Sequence, residues 1–217
     1  MVIKRRVGIL ISGRGTNMVS LAEAARASDY PAEIVLVISN RPNAPGIERA
    51  QALGLKTAVI DHKAFPSREA FDEAIEAALL AERVELVCQA GFMRIQSAPF
   101  ASRWLGRQLN IHPSLLPLFK GLHPHQQALD AGVRISGCTV HFVTPELDAG
   151  PIVAQAAVPV LATDTAATLE ARILLVEHQL YAHALRLVAS GAAVLNGDRV
   201  VLPDNVNQGG SLLSPAP

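Results

Sequence analysis

Short apolar runs alternate with helix-forming stretches through the first half of the chain. The apolar runs have the length and composition of strands buried on both faces, and they occupy residues 7–11, 34–38, 57–60 and 86–90. The helix-forming stretches lie between them, at residues 18–27, 47–53 and 67–80, with Ser67 as the N-cap and Ala70 opening the last helical run. Repeated strand and helix predict an α/β fold, a doubly wound, mostly parallel sheet with flanking helices.

The pattern changes in the second half. Longer β-rich segments at residues 138–143 and 152–160 are joined by a proline- and glycine-containing loop, which favours antiparallel or mixed pairing there. Residues 168–187 have helical apolar spacing, and residues 194–201 read as a hairpin with Asn-Gly at its turn.

The chain contains no internal repeat and no linker composition. We therefore expect one domain over residues 1–204 and a flexible tail over residues 205–217.

The composition indicates which classes of partner the protein binds and where it is located. The 217 residues are half hydrophobic and have equal numbers of acidic and basic side chains, so small molecules are favoured over nucleic acid or an anionic membrane. Cys88 and Cys138 lie in apolar runs, which predicts buried free thiols and a reduced, cytoplasmic location. The basic residues before the first apolar run are followed by too short a run for a signal peptide, and no stretch is long enough to span a bilayer.

The strongest chemical signal is the pair Asn110 and His112, in the segment LNIHP, with Asp148 downstream in ELDAG. Residues two apart on an extended segment point to the same face. An amide that holds an oxyanion, an imidazole that moves protons and a carboxylate on a loop are the parts needed for acyl transfer. Asn and His also occur at strand ends for local hydrogen bonding, but the apolar flanks and Pro113 place this pair where open α/β sheets bind ligands.

A second signal is the loop SGRGTN, residues 12–17, between the first strand and the first helix. Its backbone N–H groups and the helix N-terminus suit a monophosphate, whereas a tight turn that requires glycine explains the same residues equally well. The loop matches neither a P-loop nor a dinucleotide fingerprint, because it lacks Gly-Lys-Ser/Thr and a third glycine.

Three histidines need a structural interpretation. His123 and His125 have no carboxylate or thiol cluster with ligand spacing beside them, which favours capping or pocket lining over a metal site. His141 lies inside an apolar run, so we interpret it as a satisfied interior histidine outside the catalytic set.

Together these motifs resemble the folate-dependent phosphoribosylglycinamide formyltransferases, also called glycinamide ribonucleotide transformylases. The resemblance extends over nearly the whole chain except the tail, through residues 9–17, 91–95, 109–117 and 140–151. It implies a Rossmann-like formyltransferase domain that moves a formyl group from 10-formyltetrahydrofolate to the amine of N1-(5-phospho-D-ribosyl)glycinamide in purine biosynthesis. The implied reaction requires no metal and no covalent intermediate, and the resemblance implies a monomer or homodimer.

The resemblance also implies roles for individual residues. Asn110 and protonated His112 stabilise the tetrahedral oxyanion, and Asp148 keeps His112 charged and helps to pass a proton to the leaving nitrogen. Substrate contacts are implied for Gly15, Thr16 and Asn17 at the phosphate and for Glu177 at the glycinamide end. The implied folate contacts are Arg68, Met93, Arg94, Ile95, Gln96, Asn110, Val143 and Thr144.

Three positions depart from the family pattern: Gln96 replaces an apolar residue, Ala149 replaces a glycine, and no arginine follows Gln126. They affect details of the folate pocket, and Ala149 is expected to stiffen its loop. The alternative functions are a formyltetrahydrofolate deformylase, which would deliver water instead of an amine, and a non-catalytic nucleotide-binding module. A methionyl-tRNA formyltransferase would need a further RNA-binding domain and a more basic surface.

Overall fold

A computed structural model describes residues 3–204 together with residues 206 and 214. Within this part the strands are β1 Arg5–Ile11, β2 Ala32–Ser39, β3 Thr57–Val59, β4 Leu86–Gln89, β5 Gln108–His112, β6 Ile135–Phe142, β7 Ile152–Pro159, β8 Val194–Asn196 and β9 Arg199–Val201. The helices are α1 Thr16–Ala25, α2 Pro45–Ala52, α3 Arg68–Ala81, α4 Ala98–Arg103, α5 Pro124–Asp130 and α6 Ala166–Ala189, with a short 3-10 turn at His62–Ala64.

Seven of the strands form one sheet in the order β3-β2-β1-β4-β5-β6-β7, and β8 pairs with β9 in a separate hairpin. The first five strands of this order run parallel, whereas β6 and β7 pair antiparallel. The predicted fold class is confirmed, including the change to antiparallel pairing in the second half. The strand order reverses between β1 and β4, and such a reversal opens a ligand-binding crevice at the carboxyl ends of the strands.

Two helices were not predicted. Both α4 and α5 are short and begin with a proline in the first turn, so neither displays enough apolar repeats to stand out in the sequence. The first helix starts at Thr16 rather than at residue 18, because Gly15 adopts a left-handed conformation and the helix begins directly after it. The predicted N-cap of α3 is confirmed, since the Ser67 hydroxyl accepts a hydrogen bond from Ala70 N at 3.1 Å.

Apolar layers cover both faces of the sheet. One layer contains Ile9 and Ile11 of β1 with α1 and α6, and the other contains Leu10 with α3 and α4. Tyr181 of α6 fixes that helix to the sheet, because its buried hydroxyl lies 3.0 Å from the Gln89 carbonyl oxygen and 3.1 Å from that of Leu109.

The two cysteines are free and buried, as predicted, and burial raises the pKa of each thiol to about 12. Within the described residues no helix is long and apolar enough to cross a membrane. The predicted tail, residues 205–217, lies outside the described residues except for residues 206 and 214.

Candidate active site

Asn110 and His112 lie on one face of β5 near its carboxyl end, as the spacing of two predicts. The chain then turns back over His112 through residues 113–121. This return is anchored to β6 by the buried Thr139, whose hydroxyl donates to Ser114 O at 2.7 Å and accepts from Leu116 N at 3.0 Å. The anchored turn brings the Phe119 carbonyl oxygen to 2.9 Å from His112 Nε2.

Asp148 reaches the same place from the loop between β6 and β7. Its Oδ2 atom lies 3.4 Å from His112 Nδ1 and accepts a hydrogen bond from Gly121 N at 2.9 Å. Both side chains are buried. The structure therefore brings together the three residues that the sequence singled out for chemistry.

The partners of His112 decide its proton positions. A carbonyl oxygen only accepts, so Nε2 donates to Phe119, and the Asp148 carboxylate opposite Nδ1 also accepts when it is ionised. Both contacts are satisfied together when both ring nitrogens carry a proton. Both groups that face the His112 ring nitrogens are therefore hydrogen-bond acceptors.

The loop that carries Asp148 has an unusual backbone conformation at two positions. Asp148 has a φ of +47°, in the left-handed region, and Gly150 packs so closely on the Phe142 carbonyl that a Cβ would overlap it. Ala149, unlike Asp148, has no positive φ, so its backbone conformation does not require glycine.

His141 belongs to this cluster, although the sequence placed it outside the catalytic set. It is a buried, hydrogen-bonded interior residue, as predicted: its Nδ1 donates to the Phe142 carbonyl at 2.9 Å, and burial lowers its pKa. Its neutral Nε2 then accepts from Asn110 Nδ2 at 3.3 Å and lies 3.9 Å from Asp148 Oδ1. His141 therefore orients the Asn110 amide, and only the antiparallel register of β5 and β6, which sets Asn110 opposite His141, reveals this.

A cavity of about 50 Å³ adjoins the cluster. It is lined by Gln89, Arg94, Ile95, Gln96, Ala101, Asn110, His141, Val143, Thr144, Pro145, Glu146, Leu147 and Asp148. Six of the eight residues implied for folate line it, whereas Met93 is exposed nearby and Arg68 lies exposed in the first turn of α3. This volume is below the roughly 300 Å³ or more that sites for drug-sized ligands usually measure.

The glycine loop ends in a tight turn. Gly15 has a φ of +69°, and a Cβ there would lie 3.0 Å from Gly46 Cα. No side chain caps the N-terminus of α1, and its first turn has no acidic residue, so its backbone N–H groups remain available for an anion. The tight-turn interpretation is confirmed, and the phosphate remains a prediction.

Asn17 and Glu177 meet across α1 and α6. Asn17 Nδ2 donates to Glu177 Oε2 at 2.8 Å, and both side chains are buried. Burial raises the pKa of Glu177, against the opposing effect of the Asn17 hydrogen bond. Glu177 lies one helical turn before Tyr181, whose hydroxyl fixes α6 to β4 and β5.

A wider cleft of about 530 Å³ was not predicted. It lies at the carboxyl ends of β1, β2 and β3 and is lined by residues 12–13, 41–45 and 61–63, with Arg41 and Lys63 among them. Its members come from three separate loops, and none of these loops has a motif of its own beyond the glycine loop.

His123 and His125 lie at the N-terminus of α5. His123 has a φ of +57° and is the N-cap residue of α5, while His125 is partly buried and burial lowers its pKa. Within the described part of the chain, no group of three or more His, Cys, Asp or Glu side chains is arranged to hold a metal ion.

Comparison with known proteins agrees with this geometry. The family model described as formyl transferase matches residues 5–185. The chain is 42% identical to the phosphoribosylglycinamide formyltransferase of Escherichia coli strain K12 over 199 residues, which are 88% of this chain and 94% of that protein. It is also 51% identical to the trifunctional purine biosynthetic protein adenosine-3 of Bos taurus over 88% of this chain, but it spans only 19% of that protein's length.

The fold agrees as well. The crystal structure of glycinamide ribonucleotide transformylase 1 from Symbiobacterium toebii matches with a TM-score of 0.90 and 48% identity, over 93% of this chain and 95% of that one. The structure of the phosphoribosylglycinamide formyltransferase from Brucella melitensis matches with a TM-score of 0.83 and 54% identity, over 87% of this chain and 97% of that one.

Proposed function

The chain belongs to the phosphoribosylglycinamide formyltransferase family, and we propose that it moves the formyl group of 10-formyltetrahydrofolate to the amine of N1-(5-phospho-D-ribosyl)glycinamide. This is a one-carbon transfer in purine biosynthesis. One observation supports the assignment above all: Asn110, His112 and Asp148 converge beside a cavity lined by the residues that sequence resemblance links to folate.

Substrate positions follow from the two ends of the crevice. The backbone N–H groups at Gly15, Thr16 and Asn17 take the phosphate, and the Asn17–Glu177 pair lies beside the glycinamide end. The folate ring enters the cavity along Arg94, Ile95, Gln96, Val143 and Thr144. Met93 and Arg68, which do not line the cavity, are assigned to the folate by resemblance alone. The formyl group then lies between the ring pocket and the substrate amine, next to Asn110 and His112.

The transfer needs one bond formed, one bond broken and one proton moved. The amine nitrogen attacks the formyl carbon, and the oxygen becomes negative while Asn110 Nδ2–H donates a hydrogen bond to it and the charge of protonated His112 stabilises it. The C–N bond to the folate then breaks as the oxyanion collapses. The proton released by the amine reaches the folate nitrogen with the help of Asp148, which gives tetrahydrofolate and the formylated amide.

Tetrahydrofolate release from 10-formyltetrahydrofolate tests this proposal directly. We expect release by the wild type only when N1-(5-phospho-D-ribosyl)glycinamide is present, and we expect loss of release in His112→Ala and Asp148→Asn. The matched controls are His183→Ala and Asp198→Asn, because both of these side chains are exposed and lie far from β5 in the sequence. Both controls should keep wild-type rates.

Each alternative function predicts a different outcome. Equal release without the amine would identify a formyltetrahydrofolate deformylase, in which the same three residues deliver water. Binding of nucleotide with no release under either condition would leave a non-catalytic module. The proposal also implies small-molecule partners, a cytoplasmic location and a monomer or homodimer as the working form.

A further inference from the structure

The turn at residues 119–122, which we call the 119–122 turn, contacts both members of the buried His–Asp pair. Its Phe119 carbonyl oxygen accepts from His112 Nε2 at 2.9 Å, and its Gly121 N–H donates to Asp148 Oδ2 at 2.9 Å. The same Oδ2 atom lies 3.4 Å from His112 Nδ1. The orientation of the Asp148 carboxylate toward His112 therefore depends on where the turn places the Gly121 N–H.

The backbone of the 119–122 turn does not hold its own shape. Phe119 and Gly121 have φ values of +57° and +78°, and His123, directly after the turn, has a φ of +57°. A non-glycine residue in this left-handed region is strained and persists only where its surroundings enforce it. Within the described residues, no backbone–backbone hydrogen bond involves residues 119–122. Contacts from side chains must therefore fix the turn.

Two contacts of the turn's own side chains are too few for this purpose. Phe119 packs on the hydrophobic core, which fixes the beginning of the turn. Lys120 Nζ lies 3.6 Å from Glu146 Oε1, but the Glu146 side chain is 78% exposed, and such a surface ion pair contributes little. Neither contact holds the backbone on both sides of Gly121.

Gln127 of α5 does contact the backbone on both sides of Gly121. Its Nε2 atom donates to the carbonyl oxygens of Lys120 at 3.1 Å and Leu122 at 2.9 Å. The amide orientation is unambiguous, because both partners only accept and an NH2 group has one hydrogen for each of them. Gln127 is itself fixed by the first turn of α5, where its backbone N donates to the His123 carbonyl oxygen at 3.1 Å.

We propose that Gln127 is a positioning residue for Asp148 in the formyl transfer. Its two hydrogen bonds hold the backbone that presents the Gly121 N–H, and this N–H keeps Asp148 Oδ2 directed at His112. Gln127 acts through the turn and takes no part in the chemistry itself. The inference rests on the proposed function, because that function gives Asp148 its part in proton transfer. A misplacement of about 1 Å can slow a reaction about 100-fold, so a loosened turn would slow the chemical step.

Two substitutions remove the donor while keeping the size of the side chain. Gln127→Glu replaces the NH2 group by a carboxylate oxygen, and a negative charge near the N-terminus of a helix does not destabilise that helix. Gln127→Met keeps the length of the side chain without a charge. Gln51→Met is the matched control, because Gln51 is exposed on α2 and its Nε2 donates to the Thr57 hydroxyl at 3.2 Å instead of to the turn.

Amide hydrogen exchange at Gly121, measured by NMR, tests the positioning without turnover. The Gly121 N–H is hydrogen-bonded to Asp148 in the wild type. We expect its exchange to be about tenfold or more faster in both Gln127 variants, because each variant loses two hydrogen bonds to the turn. Gln51→Met should exchange at the wild-type rate. Wild-type protection of Gly121 in both Gln127 variants would overturn the inference.

Steady-state kinetics tests whether this positioning matters for the reaction. In both Gln127 variants kcat should fall about tenfold or more while KM for each substrate changes less than about twofold, because Gln127 is not among the substrate contacts. In an Asp148→Asn background, Gln127→Met should lower kcat further by less than about twofold, since the carboxylate that it positions is already absent. A general structural role would lower kcat by the same factor in both backgrounds, and that result would contradict the inference.

The two measurements separate this inference from the proposed function. If the wild type shows no amine-dependent formyl transfer, the proposed function falls, and the exchange rates alone decide whether Gln127 holds the Gly121–Asp148 contact. If transfer is observed and both Gln127 variants keep the wild-type kcat, the proposed function stands and the inference falls, even where Gly121 exchanges faster. Faster exchange together with a fall in kcat that requires Asp148 supports both.

Discussion

His112 Nδ1 lies 3.4 Å from Asp148 Oδ2, although one residue ends a strand and the other belongs to a distant loop. The segment at residues 119–121 holds both of them, since the Phe119 carbonyl accepts from His112 and the Gly121 N–H donates to Asp148. The pair is buried, so the interaction is weakly screened by solvent. Under the proposed function, proton transfer in the site depends on this one contact.

Replacing Asp148 by Asn tests that dependence. An amide of the same shape removes the carboxylate that the proposed function uses to help the proton reach the folate nitrogen, and we expect kcat to fall about 100-fold or more with little change in KM. Steady-state kinetics with each substrate varied in turn measures the split. A rise in KM with unchanged kcat would show that Asp148 serves binding and not proton transfer.

Replacing Asn110 by Ala removes the proposed oxyanion donor. One such donor is typically worth about 3 kcal/mol, so single-turnover formyl transfer should slow about 100-fold or more. The thermal unfolding midpoint should change little, because Asn110 is only partly buried. Loss of less than about threefold in rate would exclude Asn110 as a main source of transition-state stabilisation.

Most of the fold could be predicted from the sequence, because hydrophobic periodicity depends only on residues that are close together in the chain. Apolar runs and helical stretches identify β1 to β4, and the longer segments around Cys138 and Val153 indicate the antiparallel pair. The short helices α4 and α5 were not predicted, because six or seven residues with an early proline show no hydrophobic periodicity.

The site was only partly predictable, for a related reason. Asn110 and His112 share a face through local spacing, but the contact of Asn110 with His141 and the position of Gln89 beside Asn110 depend on strand register. Register is set by pairing between distant segments, and a sequence read alone does not fix it.

Glu177→Gln should stabilise the protein increasingly as pH rises. Burial raises the pKa of Glu177, so the folded protein binds that proton more tightly than the unfolded chain. The resulting stability is present below the ordinary pKa of glutamate and is lost as pH rises through the raised value. Glutamine does not titrate and still accepts from Asn17, so its advantage over glutamate should grow as pH rises from the ordinary pKa of glutamate, about 4, through the raised value.

Urea unfolding across that pH range measures the difference, with Glu73→Gln as the control. Glu73 is exposed on α3, whereas Glu177 lies on α6. Under the proposed function Glu177→Gln should also raise KM for the ribonucleotide. A pH-independent stability difference between Glu177→Gln and wild type would contradict the assigned effect of burial.

Gly15→Ala should destabilise the protein by about 1–3 kcal/mol, because it combines a left-handed residue with a close backbone contact. Gly15 has a φ of +69°, and the new Cβ would lie 3.0 Å from Gly46 Cα in α2. Gly13→Ala is the matched control in the same loop, since Gly13 has no positive φ and a Cβ there meets no other atom within 4 Å. Chemical denaturation should therefore separate the two variants by most of that energy.

If the turn also presents the first N–H groups of α1 to phosphate, Gly15→Ala should raise KM for the ribonucleotide while KM for the folate stays the same. Equal stability of the two alanine variants would show that the turn tolerates a side chain and that its glycine serves only the ligand.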